Sequence, residues 1–96
     1  YYIRRSIEIK PNHLAYYNLG LIYTKIKNYK EAITAYKSAI NLHPVYQEAY
    51  SNLGYVYMNL DEYAKALWYF NRALRLDSSD TITIENRNHV LNKIST

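Results

Sequence analysis

"AYYNLGLIY", Ala15 to Tyr23, sets a glycine in the middle of an otherwise amphipathic helical pattern, where glycine costs about 1 kcal/mol relative to alanine. Thirty-four residues later the chain writes "AYSNLGYVY", Ala49 to Tyr57. A glycine that returns with its neighbours meets a packing requirement. Aligning His13–Tyr46 with Gln47–Asp80 gives identity at ten places: Ala15/49, Tyr16/50, Asn18/52, Leu19/53, Gly20/54, Tyr23/57, Tyr29/63, Ala32/66, Ala39/73 and Leu42/76. Too many positions agree for the glycines to be read apart from the repeat.

Each repeat reads as two helices. In the first, Tyr16, Leu19, Tyr23 and Ile26 follow the spacing of one apolar stripe; in the second, Ala32, Ile33, Tyr36, Ala39 and Ile40 do so. Lys27-Asn28 and Asp61-Glu62 supply polar turns, with Asn28 and Asp61 expected as helix caps and Pro44 as a stop signal. Two helices joined by a short turn approach closely only where side chains are small. Gly20, Ala32 and Ala39, and again Gly54, Ala66 and Ala73, supply such places, with the large rings filling the space beside them. No glycine-rich phosphate loop is present.

Composition agrees with a helical, ordered chain. Of 96 residues, 49% are hydrophobic and 21% charged, which excludes a disordered polyelectrolyte, and two glycines and two prolines leave little material for long loops. No apolar run approaches the roughly 18 residues of a membrane span, so membrane insertion is not expected. Zero cysteines excludes disulfides and thiolate metal sites and is compatible with a reducing, cytoplasmic location. The start "YYIRRS", without methionine, reads as cut from a longer protein. The net charge of +4 is spread over Arg4, Arg5, Lys30, Lys37, Lys65, Arg72 and Arg75, which reads as solvated helix faces and not as a nucleic-acid site.

These residues resemble the tetratricopeptide repeat family. Its 34-residue pattern of aromatic, Leu-Gly, aromatic, Ala, aromatic, Ala and Pro is met by Tyr16, Leu19-Gly20, Tyr23, Ala32, Tyr36, Ala39 and Pro44. It is met again by Tyr50, Leu53-Gly54, Tyr57, Ala66, Phe70 and Ala73, with Ser78 where the proline belongs. The resemblance implies an all-α solenoid, one domain over residues 1–96. Residues 1–12, "YYIRRSIEIKPN", are expected as the second helix of a preceding repeat, followed by full repeats at 13–46 and 47–80. Residues 81–96 are expected as a polar capping helix with Ile84, Leu91 and Ile94 on its apolar stripe and Asp80 or Ser79 as its cap. That makes six helices.

Chemistry is sparse. His13, His43 and His89 form no metal-ligand spacing, "DSSD" at Asp77–Asp80 reads as capping, and no serine sits in a nucleophile motif, so no catalytic residue, metal or cofactor is expected. By analogy with the family, the first helix of each repeat lines a concave groove. This groove is expected to present Tyr17, Asn18, Leu21 and Lys25, then Asn52, Tyr55 and Met58, then Asn86, a polar, aromatic surface suited to a peptide. The carboxylate clamp of chaperone adaptors is not matched: Tyr17, Leu21, Ile82 and Asn86 stand where lysine, asparagine and arginine are needed. Asn18, Asn52 and Asn86, each 34 residues apart, resemble the asparagine line of the O-linked N-acetylglucosamine transferase superhelix, which holds extended peptides by their backbone. Asparagine before Leu-Gly is also common in the family.

The expected function is a protein–protein interaction module, part of a larger scaffold or adaptor. Two other readings stand beside it: self-assembly through an N-terminal edge carrying Tyr1, Ile3 and Ile7, and a substrate-recruiting accessory domain of an enzyme outside this chain.

Overall fold

A computed structural model of the chain describes residues 12–95. Five helices run in order: α1 His13–Lys25, α2 Tyr29–Leu42, α3 Gln47–Asn59, α4 Tyr63–Leu76 and α5 Thr81–Ser95. No strand occurs among the described residues. The count is five where six helices were expected; the remaining one, with Tyr1, Ile3 and Ile7, lies outside the described residues. Asn12, assigned above to that preceding helix, is instead the N-cap of α1, its side chain accepting from the Ala15 N–H at 3.0 Å.

The helices pack in chain order, α1 on α2, α3 on α4, α2 on α3 and α4 on α5, with a smaller contact between α3 and α5. Such neighbour-only packing defines a solenoid. The glycines hold the two hairpins shut. A Cβ on Gly20 would lie 2.5 Å from Cε1 of Tyr36, and one on Gly54 would lie 2.5 Å from Cδ1 of Phe70, inside any real contact distance. Tyr36 and Phe70 are themselves fully buried. They join Ala32, Leu53, Val56, Tyr57, Ala66 and Val90 in one core cluster.

The turns close differently from expectation. Asn28 occupies the N-cap of α2 without a side-chain bond, and the N-cap of α4 is Glu62, not Asp61. Both turns are instead Schellman closures of the preceding helix. Asn28 N–H donates to Tyr23 O at 2.8 Å and Glu62 N–H to Tyr57 O at 2.9 Å, while Lys27 and Asp61 take the left-handed conformation at φ 63° and 60°. These bonds satisfy the last carbonyls of α1 and α3 through the backbone alone, so the polar turn residues serve the end of one helix and not the start of the next. Where Ser78 replaces the expected proline, Asp77 Oδ1 accepts from the Ser79 N–H at 3.1 Å and from its hydroxyl at 2.7 Å. α4 therefore stops at Leu76, the counterpart of Leu42 in α2.

The apolar stripe read along α1 divides into two faces. Tyr16, Gly20 and Tyr23 turn inward, but Leu19 is 41% exposed, Ile22 57% and Ile26 64%. In α3 the equivalent Leu53 and Val56 are fully buried, because α2 covers that face, while Leu60, the counterpart of Ile26, stays exposed. Likewise in α5 the buried side chains are Thr83 and Val90, the counterparts of Ala49 and Val56, with Ile84 half-buried. Leu91 and Ile94, expected on its stripe, are exposed. α5 uses the face that packs on a preceding repeat, while Leu91 stands at the place of Tyr57, whose ring in α3 meets Tyr69 of α4.

Asp80 caps α5, accepting from the Thr83 N–H at 3.3 Å and hydroxyl at 2.6 Å, and it reaches across the repeat boundary to accept from Gln47 Nε2 at 2.7 Å. Thr83 also shares a hydrogen bond of 2.6 Å with Ser51. Burial alone would raise the Asp80 pKa, but these bonds together outweigh it and hold the carboxyl below its ordinary value. A depressed folded-state pKa contributes stability that is present above the unfolded value, about 3.9, and is lost as pH falls through the folded value. Melting temperatures of the native chain and of Asp80→Asn are therefore expected to differ at neutral pH and to converge on acidification below about pH 4. A constant difference down to strong acid would show that Asp80 contributes no charge-dependent stability.

Candidate functional site: a groove along the first helices

α1, α3 and α5 are the first helices of their repeats and line one side of the solenoid. Between them lies a shallow cleft of about 170 Å³, lined by Tyr17 from α1, Gln47, Glu48, Ser51 and Asn52 from α3, and Asp80 and Ile82 at the start of α5. Its floor is tied across helices. Asn52 Nδ2 donates to the Tyr17 hydroxyl at 3.0 Å, joining α3 to α1. Ser51, Thr83, Asp80 and Gln47 join α3 to α5 through the network above.

Tyr17 is half-buried, its ring 5.8 Å from Tyr36 and 5.0 Å from Tyr46. Its phenol is pushed up in pKa by burial first; the Asn52 bond opposes this and the Glu48 charge adds to it. The hydroxyl stays neutral across the physiological range and keeps both a donor and an acceptor role. Tyr36 is bound from below, its hydroxyl 3.2 Å from Thr24 Oγ1, which donates to Gly20 O at 2.7 Å. Thr24 is thereby engaged within the fold.

Of the groove residues expected from sequence, Tyr17 and Asn52 come together in this cleft. Asn18 is exposed and Asn86 half-buried at the equivalent positions of α1 and α5. Leu21 and Tyr55 are each 41% exposed and Lys25 is exposed, none of them lining the cleft. Tyr17 and Met58, both expected on the groove surface, are partly buried against the core cluster. Gln47 and Thr83 were missed. Their signal was a polar residue, Thr83, at the place of the buried Ala49, which has to find bonds once buried.

Among the described residues no group of three or more His, Asp or Glu side chains is placed to hold a metal ion, and no helix is long and apolar enough to cross a membrane. His13 and His43 do meet, their rings stacked with centroids 4.5 Å apart, beside Tyr46. Among the described residues no third ligand joins them.

A family model described as TPR repeat matches residues 20–61, and one described as tetratricopeptide repeat matches residues 48–80. Solved structures agree. A crystal structure of MamA matches with a TM-score of 0.85 at 27% identity, covering 88% of this chain and 49% of that one. A crystal structure of MamA protein matches with a TM-score of 0.82 at 28% identity, covering 84% and 44%. The chain thus spans about half the length of these structures. No match was found among curated protein sequences.

Proposed function

We infer, because the chain belongs to the tetratricopeptide repeat family, that it is a protein–protein interaction module whose groove along α1, α3 and α5 takes an extended peptide or partner segment. Repeats of this family generally mediate protein–protein contacts. The observation that carries the groove reading is the Asn52–Tyr17 bond across the cleft floor. It orients the Asn52 amide so that its carbonyl remains free to accept, while the neutral Tyr17 hydroxyl retains capacity for a further bond. Asn18 and Asn86 repeat the amide on either side, so a peptide backbone would find a donor and acceptor at each repeat. Tyr17, Tyr55 and Met58 would read side chains. The module is read as non-catalytic, cytoplasmic, and part of a larger scaffold or adaptor. Affinity of a groove-bound peptide for the Asn18→Ala, Asn52→Ala, Asn86→Ala triple variant tests this reading.

A second reading rests on the open face of α1. Among the described residues, Leu19, Ile22 and Ile26 form an exposed apolar strip, whereas Leu53 and Val56, the counterparts on α3 of the first two, are sealed by α2. Self-association of copies through that strip would cover it. Sedimentation of the chain is then expected to show concentration-dependent dimers that Ile22→Glu abolishes without lowering the melting temperature. A monomer at all concentrations would dispose of this reading and leave the groove reading untouched.

A further inference from the structure

Lys37 from α2 and Lys65, Arg72 and Arg75 from α4 lie far apart in the sequence but converge on the face opposite the groove, around Trp68. Trp68 is 55% exposed. Beside it Lys37, Lys65, Tyr57 and Tyr69 line a cleft of about 270 Å³, and on its other side Asn71, Arg72 and Arg75 line a second of about 160 Å³. The rings form a continuous stack: Trp68 meets Tyr69 edge-on at 4.9 Å, and Tyr69 lies flat on Tyr57 at 5.4 Å and 11°. The cations are held on these rings, Arg72 5.6 Å from the Trp68 centroid and Lys65 5.5 Å from that of Tyr57. Cations fixed on ring faces have already lost much of their side-chain freedom, which lowers the cost of binding an anion. The carboxylate in an ion pair here is Glu62, 3.4 Å from Lys65, and that pair is exposed and worth little.

We propose that this face is a second docking surface, distinct from the groove, which takes an acidic polypeptide segment with one apolar side chain seated beside Trp68. Charge complementarity selects the acidic character: the cations flank the cleft on both sides. The apolar anchor follows from the lining, because Tyr57 and Tyr69 offer an open aromatic cleft beside an exposed tryptophan, the pattern of an interface hot spot. A nucleic-acid backbone fits less well, since the cations surround a pocket instead of following a track.

Trp68 is the single tryptophan of the chain, so tryptophan emission, excited at wavelengths the tyrosines do not absorb, reports on this site alone. Titration of the chain with a short polyglutamate peptide carrying a central phenylalanine is expected to give a saturable change in Trp68 emission. The affinity should fall about tenfold or more with Lys65→Glu/Arg72→Glu, and also with Lys37→Glu on the other helix, at unchanged melting temperature. It should weaken on raising the salt concentration and survive the triple asparagine replacement in the groove. The proposal is overturned by the absence of a saturable change, by equal binding of the glutamine version of the peptide, by undiminished binding to folded charge-reversal variants, or by tighter binding of a single-stranded oligonucleotide than of the acidic peptide.

Discussion

Gly54→Ala is expected to destabilise the chain by about 2 kcal/mol, although alanine is the better helix former. The added methyl would lie 2.5 Å from two carbons of the Phe70 ring. That ring is fully buried among Leu53, Val56, Ala66 and Val90 and has nowhere to turn. Overpacking of about 3 kcal/mol, less about 1 kcal/mol from propensity, leaves the net figure. In a chain of this size it corresponds to a melting temperature lower by roughly 8–16 °C. Gly20→Ala is expected to cost less. Its ring, Tyr36, is equally buried, but among the described residues no helix covers the outward face of α1, where Leu19, Ile22 and Ile26 are exposed, and α1 can recede. Phe70→Leu in the Gly54→Ala background should recover part of the loss, giving a favourable coupling in a double-mutant cycle. Equal melting of the glycine and alanine forms would mean that helix contact does not require the glycine.

The glycine and its ring were legible in the sequence because both recur at a fixed offset: Gly20 and Tyr36 become Gly54 and Phe70, and a repeated pair of small and large residues is a contact written twice. The two faces of α1 were not separable in the same way. Leu19 and Ile26 fit an apolar stripe by spacing, and only the neighbouring helix decides that Leu53 is sealed while Leu19 is open. The turns at Lys27 and Asp61 misled for a local reason: a polar residue between two helices serves equally as the end of one or the start of the next. The helix α5 and its Asp80 cap were legible, but its buried face was not, because Ile84, Leu91 and Ile94 are more apolar than Thr83, yet Thr83 lies on the face that meets the preceding repeat and is fully buried. The cation cluster around Trp68 was invisible, since Lys37 and Lys65 come from different repeats and line one cleft only when the two repeats pack side by side.

The groove asparagines carry the second large expected effect. A net hydrogen bond contributes roughly 0.5–1.5 kcal/mol, so loss of three should weaken a bound peptide about tenfold to a thousandfold. Stability should change little at Asn18, which is exposed, and by about 1 kcal/mol at Asn52, whose removal also ends the bond to Tyr17. Tyr17→Phe separates these contributions: it removes the same intramolecular bond while leaving the Asn52 amide for a ligand.

The decisive measurement is the affinity of one peptide, selected against the native chain and mapped to the groove by its effect on α1, α3 and α5 amide resonances, for the native chain and the folded triple asparagine variant. Recognition of peptide backbone by the groove amides predicts a loss of about tenfold or more, with the melting temperature reduced only by the Asn52 contribution. Unchanged affinity in the folded triple variant would contradict it.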